Sequence, residues 1–510
     1  MSAVFSCDLA APAVELPHSW EHTVGSDHAR MALRADWQAQ LRKAHDELGF
    51  RYVRFHGILD DDIGTLVYEQ DKLIYSFFNS DRIFDFLLAA GMKPFVELSF
   101  MPSALASGDA TVFRYKGNIT PPENYSQWAT LIRKLASHWA ERYGVNELRQ
   151  WFFEVWNEPN LKNFWTGSQS DYFRLYQHTV EAIKAVDERL KVGGPATANN
   201  AWVSDFLSFC NANNVPADFI STHHYPNDAF GKPGDDTETQ LARSRRSVLR
   251  QEAEGVRALA RGKPLYYTEW NSSSNPRDPM HDEPYAAAFA IKTALEAARL
   301  VEGYSYWTFS DIFEENYFPS VPFHGGFGLL NLYGIPKPVY RAYQLLHELG
   351  NKQVPVDGAH ATVDAWVVMD GNEAGREDGN QDDDRLTVLC TNWGLPRHPI
   401  ANERIRIFLN HAPRPLAASI CRIDGKNANA KNAWIRMGEP EYLSGKQVRR
   451  LQAASELKPQ SLSYSYASDT IGIGFNLTPQ SIAAVSLQLK RRKRLSHPRQ
   501  RKFPSGGTSG

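Results

Sequence analysis

Cysteine is scarce in this chain. Its 510 residues include four, Cys7, Cys210, Cys390 and Cys421, all far apart. None forms a C-x-x-C pair, so the common zinc and dithiol motifs are excluded, and the sparse usage fits a reducing compartment. Charge imbalance is nearly absent too. The formal net charge is −2, which gives the whole protein no general pull toward nucleic acid or an anionic membrane. No window approaches 18 uninterrupted apolar residues, the length a spanning helix needs. The first residues, MSAVFSCDLAAPAVELPHSW, lack a basic start, contain Asp8 and never sustain an apolar run. They do not read as a secretory signal, and a cytoplasmic location is expected. No G-x-G-x-x-G follows a predicted strand, which counts against a dinucleotide-binding, doubly wound sheet.

What is present is length, aromatic content and alternation. A chain of this size suits two domains and a large core. Aromatic residues make up 12%; most serve a core, and some are available to stack on flat ligands such as sugars. Residues 36–309 alternate between short apolar runs and helical periodicity. The runs at 52–59, 93–100, 151–158, 191–197, 218–225, 264–270 and 304–309 predict seven buried strands. Helical patterns lie between them. One has Ser80 or Asn79 as N-cap, an apolar face of Ile83, Phe84, Leu87 and Leu88, and Gly91 as a stop. Another places Trp128, Leu131, Ile132, Leu135 and Trp139 on one face before Gly144. An eighth strand is expected near 12–20, ahead of a helix at 36–49. Eight such units over roughly 300 residues suit a (β/α)8 TIM barrel.

Past residue 350 the texture changes to short alternating strands with polar turns, which predicts a C-terminal β-sandwich. The expected division is a barrel over 1–345, a sandwich over 346–490 and a basic, solvated tail over 491–510. Asp378, Asn380, Asp382 and Asp384 mimic the start of a calcium loop. The Gly and Glu that such a loop requires are missing, so a solvated hairpin loop is expected there and no metal.

The chemistry centres on WFFEVWNEPNLKNFW, residues 151–165, where three Trp and three Phe surround Asn157-Glu158-Pro159. A buried, unpaired carboxylate is costly. Glu158 must be neutralised by a partner or sit where its pKa is meant to rise. In a parallel barrel the functional face is the C-terminal end of the strands. Glu158 closes strand four and Glu269, in YYTEW, closes strand seven. Either alone could be a structural ion pair. Both together, across one mouth, suit acid/base cleavage of an acetal: a protonated carboxyl donates to the leaving oxygen and an ionised one attacks. Surrounding rings would raise the Glu158 pKa, and Arg54 would hold Glu269 ionised.

YVRFHGILDDDIG, WFFEVWNEPN, YYTEW, SYWTFSDIFEE and FHGGFGLLNLYGIPKP resemble the glycoside hydrolase family 39 β-xylosidases over roughly residues 15–490. The resemblance implies Glu158 as general acid/base and Glu269 as nucleophile. It implies Asn157 as a ligand of the sugar 2-hydroxyl and Tyr225 as a hydrogen-bond donor to the nucleophile. It further implies His56, His223, Glu314 and Glu315 as polar sugar contacts, Trp307 as the floor of the first subsite, and Phe164 with Trp165 as pocket wall. Strict alternation would turn Asn157 away from Glu158's face, so the strand must bulge or end there. Glu154 is expected deeper in the barrel, in a hydrogen-bonded network. The implied substrate is a xylooligosaccharide or aryl β-xyloside, with no cofactor, no nucleic-acid partner and no membrane. N-terminal residues are expected to pair with the sandwich. An α-L-iduronidase-like or arabinosidase activity is the enzymatic alternative. A carbohydrate-binding protein on a hydrolase scaffold is the non-enzymatic one.

Overall fold

The computed structural model describes residues 2–227, 234–316, 318–370 and 383–490. Eight parallel strands close into a barrel. They are β1 (Thr23–His28), β2 (Tyr52–His56), β3 (Lys93–Leu98), β4 (Phe152–Val155), β5 (Lys191–Thr197), β6 (Phe219–His223), β7 (Leu265–Trp270) and β8 (Gly303–Tyr306). The seven predicted strands are all present, most of them shorter at the C-terminal end. The eighth is not at 12–20. It is β1, a polar strand (TVGSDH) with no apolar run to mark it, buried along its whole length. Val14–Glu15 instead pairs with Lys352–Val354 in a sheet outside the barrel.

The barrel interior is layered because side chains alternate along each strand. Tyr52, Phe95, Phe152, Phe219 and Tyr266 plug the N-terminal end, with Phe95 and Phe152 stacked at a 5.0 Å centroid distance. Two residues further along, the same faces carry Arg54, Glu97 and Glu154. The alternation that builds the plug therefore places a charged layer directly above it.

Helices wrap the barrel. Tyr125–Tyr143 buries the predicted Trp128, Leu131, Ile132, Leu135 and Trp139, and Gly144 ends it with φ +87°. Its N-cap is Asn124, whose side chain accepts from the Ser126 and Gln127 amides. The helix Phe78–Ala89 starts earlier than expected, and neither Ser80 nor Asn79 caps it. Ser80 Oγ donates to the Phe77 carbonyl and Asn79 Nδ2 to the Ile63 carbonyl.

Besides two two-stranded hairpins, two larger sheets lie outside the barrel, one of seven strands and one of four. Ser2–Asp8 pairs in parallel with Glu403–Asn410 in the four-stranded sheet. Phe5, Val388, Ile407, Ile473 and Val485 share the core between the sheets. Ser481–Lys490 is an interior strand of the seven-stranded sheet. Trp393 packs on Phe289 of the helix Pro284–Ala297 at 5.4 Å. Arg246 donates to both Asp364 oxygens, at 2.9 and 2.6 Å, and to the Thr362 carbonyl at 2.8 Å. The loop at 371–382 and the tail at 491–510, read as solvated from sequence, lie outside the described residues. Among the described residues no helix is long and apolar enough to cross a membrane.

Replacing the cap with Asn124→Ala is expected to cost about 1 kcal/mol of stability, and Asn124→Asp, which keeps the acceptor, to cost much less. Urea unfolding of the two variants checks this. Equal midpoints would mean that the cap contributes nothing.

Candidate active site

Strand β4 ends at Val155, and the chain then leaves strand geometry. Trp156 (φ +72°) and Glu158 (φ +43°) both occupy the left-handed region, which non-glycine residues seldom adopt. This turn breaks the alternation and lets neighbouring Asn157 and Glu158 both reach the barrel mouth. The Glu158 amide donates to the Ala196 carbonyl at 2.8 Å. Ala196 itself sits at an irregularity in β5, between Pro195 and Thr197.

Strand β7 makes the same kind of exception. Its pairing with β6 skips from Thr222–Tyr267 to His223–Glu269. The extra residue, Thr268, bonds Glu154 inside the barrel, yet Glu269 also reaches the interior. Without that bulge only one of the two could face inward.

Arg54 organises what lies between. Its guanidinium is fully buried. Nε donates to Glu154 Oε2 at 2.6 Å and Nη1 to Glu269 Oε1 at 2.7 Å. Nη2 faces Asn157 Oδ1 at 2.9 Å and Glu97 Oε2 at 2.7 Å. Burial alone would lower the Arg54 pKa, but Glu154, Glu97 and Glu269 outweigh it and raise it. Burial would likewise raise the Glu97 carboxyl, and Arg54 with His56 reverses that. Glu154 stays raised, because burial and the neighbouring Glu97 exceed the help from Arg54. The expectation that Glu154 lies in a deep hydrogen-bonded network holds.

Glu269 also accepts from the Tyr225 hydroxyl at 2.9 Å, through Oε2. Glu158 Oε1 is 2.9 Å from His223 Nδ1. An oxygen of Glu158 and an oxygen of Glu269 lie within 4.8 Å of each other. Above them opens a cleft of about 450 Å³.

The predicted residues divide into three groups. Asn157, Glu158, Glu269, His56, Tyr225, Trp307, Glu315 and Phe164 all line the cleft. His223 does not; it is fully buried beneath Glu158 and bonds protein on both ring nitrogens. Glu314 does not either. Its carboxylate turns outward to Arg34 at 2.8 Å, and only its backbone serves the site, donating to Asp27 at 2.7 Å. Trp165 is likewise buried, packed on Trp156 at 4.9 Å. Wall residues missed from sequence include Phe113, Asn163, Asn199, Ser274 and Phe327. They stand on loops, where no periodicity points to them. Lines of attachment are visible only in the structure, as where the Arg114 amide donates to the Glu315 carbonyl at 2.7 Å.

The rings around Glu158 in sequence are mostly not around it in space. Trp151 packs against Phe84 and Trp139, and Phe152 belongs to the barrel plug. Trp156 packs against Phe100 and Trp165. Of those rings only Phe164 joins the cleft wall, packed edge-on against Phe113 at 5.5 Å. Trp307 owes its seat to Gly25 on β1: a Cβ there would stand 2.4 Å from the indole.

Glu315 is the third carboxyl of the cleft, 3.5 Å from His56 Nε2. Burial, then the charges of Asp27, Glu269 and Glu158, push it well above the usual carboxylate range. A group so placed is held neutral and can donate a hydrogen bond.

The chain matches the model of glycosyl hydrolases family 39 over residues 6–469. It is 47% identical over 475 residues to a β-xylosidase of Caldicellulosiruptor saccharolyticus, covering 92% of this chain and 95% of that one. It is 37% identical over 452 residues to a β-xylosidase of Geobacillus stearothermophilus, covering 86% of each. The crystal structure of the family 39 enzyme from Xanthomonas axonopodis pv. citri superposes with a TM-score of 0.83 at 34% identity, covering 96% of this chain and 97% of that one. The barrel, its charged core and the paired carboxylates at its mouth are those of a glycoside hydrolase: this chain belongs to family 39 of the glycosyl hydrolases.

Proposed function

We propose that this protein is a retaining β-xylosidase that releases xylose from the non-reducing end of short β-1,4-xylooligosaccharides. Glu269 is the nucleophile and Glu158 the general acid/base. The observation that carries this reading is the approach of their oxygens within 4.8 Å. Retaining enzymes hold their carboxyls about 5–5.5 Å apart, and inverting ones about 6.5–9.5 Å, to leave room for a water.

Each role suits its surroundings. Arg54 and Tyr225 both donate to Glu269, which favours the ionised form an attacking carboxylate needs. Glu158 lies within hydrogen-bond distance of the His223 imidazole, which burial, Arg54 and His56 hold well below its ordinary pKa. Glu269 attacks the anomeric carbon while Glu158 protonates the departing oxygen. Glu158 then takes a proton from water, which opens the glycosyl-enzyme with net retention.

Asn157, whose oxygen is held by Arg54, has its NH2 left to donate to a sugar hydroxyl. His56 and neutral Glu315 offer further polar contacts, and Trp307 and Phe164 offer apolar faces. The relatives that are 47% and 37% identical over most of this chain carry the name β-xylosidase, which supports a xyloside over other sugars. An iduronide needs a cation for its carboxylate. Among the described residues no Arg or Lys lines the cleft. The two outer sheets are read as a β-sandwich accessory domain, residues 346–490, completed by the N-terminal strand.

Hydrolysis of aryl β-D-xylopyranosides by wild type, Glu158→Ala and Glu269→Ala tests the assignment, with an α-iduronide as control. With a poor leaving group, Glu158→Ala is expected to lose on the order of 10²–10⁴-fold in rate. With an activated phenol it should form the glycosyl-enzyme and be rescued by azide as the β-azide. Glu269→Ala should be inactive, with azide giving the α-azide. Cleavage of the iduronide but not the xyloside would overturn the substrate reading. Gly25→Ala is expected to raise KM several-fold by displacing Trp307, and an unchanged KM would remove that indole from the binding site.

A further inference from the structure

His223 stands between two carboxylates at different depths. Its Nδ1 is 2.9 Å from Glu158 Oε1 at the mouth. Its Nε2 is 3.0 Å from Thr268 Oγ1. Thr268 Oγ1 is 2.8 Å from Oε1 of Glu154, in the charged layer below. The chain Glu158–His223–Thr268–Glu154 is continuous and every member is buried.

Arg54 Nη2 lies 3.4 Å from His223 Nε2, but its two hydrogens face Asn157 Oδ1 at 2.9 Å and Glu97 Oε2 at 2.7 Å. Glu269 Oε2, at 3.7 Å from Nδ1, is beyond hydrogen-bond reach. The second oxygen of Glu154 accepts from Arg54 Nε, and the Ser221 side chain also bonds this carboxyl. Burial, then Arg54 and His56, push His223 well below its ordinary pKa, which favours a neutral ring carrying one hydrogen.

A neutral ring in this chain allows two arrangements. In the first, Glu158 is protonated and donates to a bare Nδ1, Nε2–H donates to Thr268, and the Thr268 hydroxyl donates to ionised Glu154. In the second, Glu154 is protonated and donates to Thr268, the hydroxyl donates to a bare Nε2, and Nδ1–H donates to ionised Glu158. Both hold three hydrogens and one negative charge.

We propose that His223 and Thr268 form a proton relay that exchanges Glu158 between its acid and base forms, with Glu154 as the internal store. This rests on Glu158 being the acid/base. Passing from the first arrangement to the second breaks Glu158 O–H, Nε2–H and the original Thr268 O–H. It forms Nδ1–H, a new Thr268 O–H and Glu154 O–H, and no proton leaves the protein. Glu154, whose carboxyl burial and Glu97 hold above the usual range, suits the store. The charged or titratable groups facing the chain are Arg54 and His56 from β2, Glu97 from β3, Glu269 from β7, Tyr172 from the helix Gln169–Lys184, and Glu315 beyond β8. His223, Thr268 and Glu154 are positioning residues: they act on substrate only through Glu158.

The test is Thr268→Val beside Thr268→Ser. Valine offers Nε2 neither a donor nor an acceptor. The ring then settles as Nδ1–H, donating to ionised Glu158, with its bare Nε2 toward Arg54. The basic limb of the kcat/KM profile is expected to move down by about one pH unit. A one-unit shift corresponds to a roughly tenfold loss, near the old limb, for xylosides with poor leaving groups. Activated aryl xylosides should keep their rate, and Thr268→Ser should restore the limb. A limb that stays in place, or a loss equal for all leaving groups, would overturn the relay. Glu158→Ala on the same leaving-group series separates the two claims. If its loss does not depend on the leaving group, the acid assignment fails and takes the relay with it. If its loss is steep while Thr268→Val is flat, only the relay fails.

Discussion

The structure turns on one buried guanidinium. Arg54 has no exposed surface and bonds carboxylates from β3, β4 and β7, as well as Asn157 beyond β4. Such a charge is tolerated only when it is fully paired; removing one partner of a buried pair typically costs about 3–5 kcal/mol. Three carboxylates about one cation also cannot all relax independently. Each strand that contributes one is held to a register set by Arg54, so closing the barrel and shaping the mouth are one constraint. The proposed nucleophile is part of this charged layer, and the proposed acid stands one imidazole away from it.

That arrangement needs two departures from strand geometry, and both lie beside the carboxylates. The left-handed turn at Trp156 and Glu158 brings consecutive residues to one face. The bulge at Thr268 does the same on β7. Regular alternation would turn inward only one of Asn157 and Glu158, and only one of Thr268 and Glu269. Local backbone cost of this kind persists where surrounding contacts over-determine the conformation. Here the Glu158 amide is held by Ala196, and Thr268 by Glu154 and His223.

Much of this was legible in the sequence, for physical reasons that also explain the omissions. Strands buried on both faces announce themselves as apolar runs, so seven of eight barrel strands could be read. Strand β1, TVGSDH, is polar because its residues serve the site and Gly25 makes room for Trp307; it was placed ten residues too early. Glu158 and Glu269 were recognisable because they stand at the C-terminal ends of apolar runs, Glu158 just past the last strand residue Val155 and Glu269 just before Trp270. Glu314 and Glu315 could not be told apart, since which of two neighbours turns inward depends on a loop anchored by Asp27. Reading a dry cage into the aromatic run at 151–165 failed for a related reason: those rings alternate between the barrel plug and the helix layer. The wall residues Phe113, Asn199 and Phe327 come from loops whose course no periodicity encodes.

The most direct test of the central claim, double displacement on Glu269, is to trap the intermediate. A 2-deoxy-2-fluoro β-xyloside with an activated leaving group slows both steps but lets the first outrun the second. After proteolysis, mass spectrometry should find one fluoroxylosyl group on the peptide carrying Glu269, and the labelled protein should regain activity as the sugar leaves. A label on Glu158, or turnover of the reagent to an inverted product with no label anywhere, would contradict the mechanism.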